Sequence, residues 1–245
     1  MAVRQIDPGW SGMDGTFGGY VLATAVDGVA LPGYRPQSVT LAFVSTVHPG
    51  EVDVRVEELH RGRSTASLRI ELHQGGRLRA HGLGSLVRAE PPGETAPRWE
   101  SPANPVQPGP EDVTAYAPAF GRLPYLDQLD LRGVGQDSLA DGATAWVRVD
   151  GPVADDLGPY AVLALYLDVM PPGVFSADPP PSFVPSLELT AHFSPRAGTA
   201  TPRDWYSVNN RTSWVAPGYC VDECALRDHE GHLVAQLRQG RQVRW

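Results

Sequence analysis

The chain repeats one order of elements, an apolar helix followed by antiparallel strands, on either side of a proline-rich segment near its middle. That segment, residues 90–110, reads EPPGETAPRWESPANPVQPGP and has neither helical nor strand periodicity, as expected of a connector. A helix that is apolar on most sides has to be covered by protein, and an antiparallel sheet can supply the cover. The repeat therefore predicts an α+β fold of two similar units in one chain.

The N-terminal unit is predicted from a change from helical to strand periodicity. Apolar residues recur at helical spacing over residues 17–29. Residues 52–56 and 68–72 then alternate apolar and charged side chains, which indicates strands with one buried face. The two glycines of the turn 74–77 predict a hairpin into a third strand over 78–87.

The C-terminal unit follows the same order. Pro159 can occupy the first turn of a helix, and residues 160–167 are apolar almost all round. Residues 187–193 alternate, so Leu187 is predicted to face inward with Leu189, Ala191 and Phe193. Further strands are predicted over 205–214, 219–227 and 233–244, with a turn at 228–231 before the last.

The domain boundaries follow from this organisation. We predict an N-terminal repeat over residues 1–90, a proline-rich connector over 91–124 and a C-terminal repeat over 125–245.

Composition excludes several classes of partner. The net charge is −8, all 20 cationic residues are arginine, and no basic run is long enough to follow a phosphate backbone, so we expect no nucleic-acid partner. No apolar stretch approaches the length of a membrane span, and the start lacks the apolar core of a signal peptide, so we expect a cytoplasmic protein without a membrane partner. Arginine-only cation usage suggests a GC-rich coding sequence and hence a bacterium.

The cysteines and histidines give no metal or disulfide pattern. Cys220 and Cys224 would lie about 13 Å apart on one face of a strand, too far for a disulfide, so two buried free thiols are predicted. The sequence has no HExxH, no paired CxxC and no GxSxG elbow. We therefore expect neither a metal nor a covalent serine mechanism.

Six short segments stand in order along nearly the whole chain. They are GTFGGY (15–20), HRGRS (60–64), QGGR (74–77), LYLD (165–168), PSLELTAHF (185–193) and GHLVAQLRQ (231–239). Together they resemble the TesB-type acyl-CoA thioesterases of the double hotdog superfamily. The resemblance implies a double hotdog: two tandem hotdog repeats, each with a long helix wrapped by an antiparallel sheet.

The resemblance implies a carboxylate, a hydroxyl and a glutamine that together hold and activate a water. The carboxylate falls on Asp168, after an apolar run, where burial without a partner should raise its pKa toward that of a general base. The glutamine falls on Gln239, whose strand parity points it inward. The hydroxyl position, commonly threonine, is Ser186. Regular parity would turn Ser186 away from the buried face, unless Pro185 forces a bulge or the site lies between the two halves.

Two further groups are candidates for contacting the substrate. Gly18, Gly19 and Tyr20 open the first helix, where free amides can stabilise an oxyanion, although small residues there can also simply allow close packing. Arg61 and Arg63 can contact the phosphates of coenzyme A, although a solvated turn explains them as well.

The expected activity is hydrolysis of an acyl-CoA or acyl carrier protein thioester in lipid metabolism, with no cofactor except coenzyme A as part of the substrate. Acyl transfer, chain release or cyclisation of a thioester-bound intermediate is one alternative, and non-catalytic acyl-CoA binding is another. A homo-oligomer is possible.

Overall fold

Two helices lie at the centre of the protein. The computed structural model describes residues 2–89, 99–117, 121–136 and 142–245, so part of the predicted connector, residues 91–98 and 118–120, lies outside the described residues. Helix α1 spans Gly18–Gly28 and helix α2 spans Pro159–Tyr166, close to the predicted ranges. Every α2 residue from Ala161 on is buried, as its all-apolar sequence requires.

The strands of the described residues form one antiparallel sheet of eleven. Its order is β1-β3-β4-β5-β2-β8-β11-β10-β9-β7-β6, so each repeat contributes a contiguous half. The strands are β1 (Ala2–Ile6), β2 (Tyr34–Phe43), β3 (Gly50–Arg61), β4 (Thr65–Gln74), β5 (Arg77–Arg88), β6 (Asp130–Gln136), β7 (Ala143–Arg148), β8 (Ser186–Phe193), β9 (Tyr206–Ala216), β10 (Tyr219–Arg227) and β11 (Leu233–Gln242).

The strands with clear alternation are those that the sequence predicted: β3, β4, β5, β8, β9, β10 and β11. Four strands were missed, β1, β2, β6 and β7. Strand β2 contains Pro36, which argues against a central strand, and β6 contains two glycines. The predicted hairpin turns are present, with Gly75, Gly76 and Gly231 all at positive φ.

The two halves of the sheet meet where β2 pairs with β8. The register places Thr40 opposite Thr190, and their hydroxyl oxygens lie 3.0 Å apart. Because the join is a continuous ladder, the two predicted sheets are one sheet, and the helices of both repeats pack against each other in the same core. The ends of β2 and β8 therefore lie at the boundary between the two repeats.

The prediction for Leu187 was wrong. Strand β8 pairs Ser186 with Arg241 and Glu188 with Gly240, so Leu187 is an extra residue in a bulge. Leu187 is 49% exposed, whereas Leu189 is fully buried. The bulge interrupts the alternation, which changes the face that every residue before it presents.

Cys220 and Cys224 are buried free thiols on one face of β10, as predicted. Among the described residues, no helix is long and apolar enough to cross a membrane.

Candidate active site

A cleft of about 460 Å³ opens between the two repeats, at the start of α1 and the end of α2. Such a volume suits a small-molecule site. Its walls come from both halves of the chain: the loop before α1, the end of β2, the segment after α2, the start of β8 and the end of β11. Most wall side chains are apolar, including Phe17, Phe43, Met170, Phe183 and Leu187.

Asp168 lies on the wall of this cleft, two residues after α2 ends. Its side chain is only 5% exposed. Burial raises the pKa of this carboxyl, and the charge of Arg241 opposes the rise. The raised direction agrees with the sequence analysis, but the carboxylate has a cationic partner that the sequence analysis did not identify.

Ser186 also lines the cleft, because of the bulge at Leu187. The bulge places the Ser186 hydroxyl on the side of the acid, and the cleft lies between the two repeats, so both arrangements left open by the sequence are present. Its Oγ accepts a hydrogen bond from Gln239 Nε2 at 2.7 Å.

Gln239 lies behind Ser186 and is not part of the cleft wall. It is 1% exposed, on the inward face of β11 that its parity predicts. Its side chain contacts Ser186, Arg241 and the Asp168 carboxyl. Gln239 therefore reaches the cleft through the three side chains that it contacts, all of which line the wall.

The sequence analysis missed Arg241, the central cation of the site. Its guanidinium donates to Asp168 Oδ1 at 2.9 Å and to Asp222 Oδ2 at 2.7 Å. Strand parity could have revealed both residues, since Arg241 shares the face of Gln239 on β11, and Asp222 lies between Cys220 and Cys224 on β10. Buried charges at such inward positions require partners.

The first two residues of α1 are glycines: Gly18 lies beside Asp168, and Gly19 lies against α2. A Cβ on Gly18 would lie 2.6 Å from Asp168 Oδ2 and 3.8 Å from Ser186 Oγ, so the missing side chain leaves space between these two oxygens. A Cβ on Gly19 would lie 2.6 Å from the Leu165 carbonyl oxygen, so Gly19 allows α1 and α2 to pack closely. Tyr20 stacks on Trp10 and does not line the cleft.

Arg61 and Arg63 do not line the cleft. Tyr34, the first residue of β2, donates a hydrogen bond to Gly62, between the two arginines, whereas the cleft adjoins Phe43 at the other end of the strand. A ten-residue strand spans about 30 Å. Arg61 is also paired with Glu58. The contact of these arginines with coenzyme A phosphates stays a prediction.

A different arginine, Arg244, lies at the cleft. Its guanidinium carbon lies 5.5 Å from the centre of the Phe183 ring, and both residues line the wall. Arg244 is exposed, so its charge is accessible to a ligand entering from solvent.

Three possible metal ligands meet away from the cleft, in the turn between β10 and β11. They are Asp228, Glu230 and His232. Asp228 Oδ1 accepts the backbone N–H groups of the other two, so the aspartate stabilises the turn itself. These contacts account for the cluster without a metal.

An antiparallel sheet of two halves around paired helices is the double hotdog architecture. The chain belongs to the acyl-CoA thioesterase family. The acyl-CoA thioesterase N-terminal domain matches residues 6–87 and the C-terminal domain matches residues 89–240. The protein is thus a thioester hydrolase of the TesB type. No curated protein matches the chain in sequence.

Solved structures share the fold over nearly the whole chain. A hot dog fold protein of unknown function from Alicyclobacillus acidocaldarius has a TM-score of 0.83 at 19% identity, covering 99% of this chain and 92% of that chain. A putative thioesterase II from Thermobifida fusca YX has a TM-score of 0.79 at 24% identity, with coverages of 98% and 91%. Acyl-CoA thioesterase II TesB2 from Mycobacterium marinum has a TM-score of 0.71 at 19% identity, with coverages of 94% and 89%. The double hotdog prediction is confirmed.

Proposed function

We propose that the protein hydrolyses an acyl-CoA, or an acyl carrier protein conjugate, to a free acid and a thiol, with a water activated by Asp168. One observation carries the proposal: Asp168 Oδ2 and Ser186 Oγ border the same space beside Gly18, at the wall of a largely apolar cleft. The reaction as proposed uses no metal and no cofactor beyond the coenzyme A of the substrate.

The chemistry requires a base, a nucleophile and a group that stabilises negative charge. Asp168 takes a proton from water as the water oxygen attacks the thioester carbonyl carbon. Negative charge develops on the carbonyl oxygen, and the Ser186 hydroxyl and the amides of Gly18 and Gly19 at the start of α1 are the candidate donors to it. The carbon–sulfur bond then breaks, and the thiolate takes up the proton that Asp168 received.

The cleft wall supports an apolar acyl group. Aromatic and aliphatic side chains line it, and transfer of apolar surface from water stabilises binding by about 25 cal/mol per Å². The same wall leaves the Asp168 side chain only 5% exposed, and this burial raises the pKa of its carboxyl.

The test of this proposal is thiol release from a panel of acyl-CoAs of increasing chain length and one acyl carrier protein conjugate. We expect turnover of at least one of them by the purified protein, with product acid and thiol formed in equal amounts. Calorimetric binding of acyl-CoA without release of thiol from any substrate would overturn the proposal in favour of a non-catalytic binding protein.

Coenzyme A recognition can be tested by comparing Arg244, near the end of β2 that adjoins the cleft, with Arg61, near the other end of β2. Because Arg244 lies at the cleft, we expect Arg244→Ala to raise KM for acyl-CoA about tenfold, the equivalent of about 1.4 kcal/mol. Arg61→Ala is the matched control, since Arg61 is also an exposed arginine and is held by Glu58.

The comparison discriminates between the two predicted phosphate contacts. A KM raised only by Arg61→Ala would show that the phosphates bind at the β3–β4 turn, as the sequence analysis predicted. The kcat of both variants should stay within about twofold of the parent, since a remote binding contact acts equally on the ground state and the transition state.

A further inference from the structure

The guanidinium of Arg241 contacts every polar side chain proposed to act in the reaction. Besides Asp168, it donates from Nη2 to Gln239 Oε1 at 2.7 Å and from Nη1 to Ser186 Oγ at 3.3 Å. A guanidinium only donates hydrogen bonds, and its planar fork fixes the acceptors relative to one another. One rigid group therefore sets the positions of the acid, the amide and the hydroxyl.

These contacts also fix the direction of the Ser186 proton. Because Arg241 can only donate, the Gln239 amide must turn its oxygen toward Arg241 and its NH₂ toward Ser186. Ser186 Oγ then accepts two hydrogen bonds, from Gln239 and Arg241, which occupies both of its lone pairs. Its own hydrogen is left to be donated, so in this arrangement the hydroxyl is a donor toward the cleft.

Arg241 is itself held from behind by a buried acid. Its Nε donates to Asp222 Oδ2 at 2.7 Å, and Thr212 Oγ1 donates to Asp222 Oδ1 at 2.6 Å. Asp222 is fully buried. The Asp222 carboxylate binds the Nε side of the guanidinium, which leaves Nη2 to donate to Asp168.

The N-terminal repeat reaches the same backbone arrangement without these polar groups. In the C-terminal repeat, Ser186 pairs with Arg241 next to a one-residue bulge. In the N-terminal repeat, Pro36 pairs with Leu86 next to a bulge at the same place. The matching bulges make Leu86 the counterpart of Arg241.

The neighbouring strands give the remaining counterparts. Gln239 pairs with Asp222, and in the N-terminal repeat Gly84 pairs with Leu68. Leu86 thus occupies the position of Arg241, and Leu68 occupies the position of Asp222. Both leucines are buried, at 1% and 3% exposure. Since the hotdog repeat folds with leucine at both positions, the charged pair is not needed for the fold.

We propose that Arg241, oriented by Asp222, is the positioning residue of this hydrolase, holding Asp168 at the cleft and making Ser186 a hydrogen-bond donor to the thioester carbonyl oxygen. The inference rests on the proposed function and adds to it. It assigns Gln239 to holding Ser186 and the Asp168 carboxyl rather than to contacting the water.

The proposal has a pH signature. The charged and titratable groups that face Asp168 are Arg241 on β11, Asp222 and Cys224 on β10, and Tyr125 in the short helix before β6. The charge of Arg241 favours the ionised form of Asp168 against burial. Removing that charge should raise the pKa of Asp168 further, so activity would be lost at a higher pH on acidification.

The test uses the double substitution Arg241→Leu with Asp222→Leu, which gives each position the residue of its N-terminal counterpart and leaves no buried unpaired carboxylate at residue 222. We expect a cooperative thermal transition, a loss of about 10²-fold in kcat from misplacement of the reacting groups, and a KM within about threefold of the parent. The acid limb of the pH–rate profile should move to higher pH, because the loss of the Arg241 charge outweighs the loss of the smaller opposing effect of Asp222. Arg241→Lys, which keeps the charge but loses the planar fork, should keep the parent acid limb and recover only part of kcat.

The outcomes separate this inference from the proposed function. A double variant with the parent kcat and the parent acid limb would overturn the role of Arg241 while leaving thioester hydrolysis intact. If the parent releases no thiol, titration of the Asp168 carboxyl by ¹³C NMR in the parent and in Arg241→Lys and double variants still applies, and an equal pKa in all three would overturn the inference. If the double variant does not fold, Arg241→Lys decides alone: full parent kcat would contradict a role for the fork.

Discussion

Asp168→Asn is expected to lower kcat for thiol release by about 10²- to 10⁴-fold, the usual contribution of a general base. Asparagine has the shape of the native side chain, and its oxygen can still accept the hydrogen bond from Arg241, so the site geometry is kept and only the basicity is lost. Asp27→Asn is the matched control, because Asp27 is an exposed aspartate at the end of the other helix, paired with Arg4. Equal rates for Asp168→Asn and the parent would eliminate the water-activation mechanism.

The pH dependence of the parent checks the same residue. Burial raises the pKa of Asp168 despite the opposing charge of Arg241. A base acts only when it is deprotonated, so kcat/KM should fall as the pH drops through that raised pKa, at a higher pH than the value of about 3.9 for an ordinary aspartate. A parent profile that stays flat down to pH 4 would contradict the assignment of Asp168 as the base.

Gly18→Ala is expected to reduce kcat by about 10²-fold, because its methyl group would fill the space between the two reacting oxygens. The added carbon would lie 2.6 Å from Asp168 Oδ2, well inside contact distance. The carboxylate cannot turn aside freely, since its other oxygen is bound to Arg241. The acid would have to move, or the water would be excluded.

The second repeat supplies the control for Gly18. Gly158 precedes Pro159 and Tyr160 at the start of α2, as Gly18 precedes Gly19 and Tyr20 at the start of α1. A Cβ on Gly158 would meet no atom within 4 Å. Gly158→Ala should therefore keep the parent kcat and cost at most about 1 kcal/mol of stability as a helix cap. Parent-like activity of Gly18→Ala would show that the space beside Gly18 is not where the reaction occurs.

Local sequence patterns were sufficient to predict the elements whose own residues separate a buried face from an exposed one. Helical spacing located α1 and α2, and alternation located the strands with one buried face. The parity of β11 correctly directed Gln239 inward, and applied one step further it would have directed Arg241 there too. On β10, Asp222 lies between the buried free thiols Cys220 and Cys224 at strand spacing, which likewise predicts that Asp222 points inward.

Strands that are stabilised mainly by their neighbours in the sheet were not predicted from their own sequence. Strand β2 contains a proline, which argues against a central strand, yet it occupies the middle of the sheet because β5 and β8 complete its ladder. The orientation of Ser186 has the same origin, since the bulge at Leu187 is a property of the register between β8 and β11. A register belongs to two strands, so no single segment encodes it.

The sequence by itself determined the two repeats, their helices and the inward direction of the acid-bearing and amide-bearing segments, because 3.6- and 2-residue periodicities are local consequences of backbone geometry. Only the tertiary structure decided that Arg241 joins Asp168, Ser186 and Gln239, and that Arg61 and Arg63 lie at the far end of β2 from this group. Those relations are distances between segments far apart in the chain, and they are fixed by strand register and by the packing of one helix on the other.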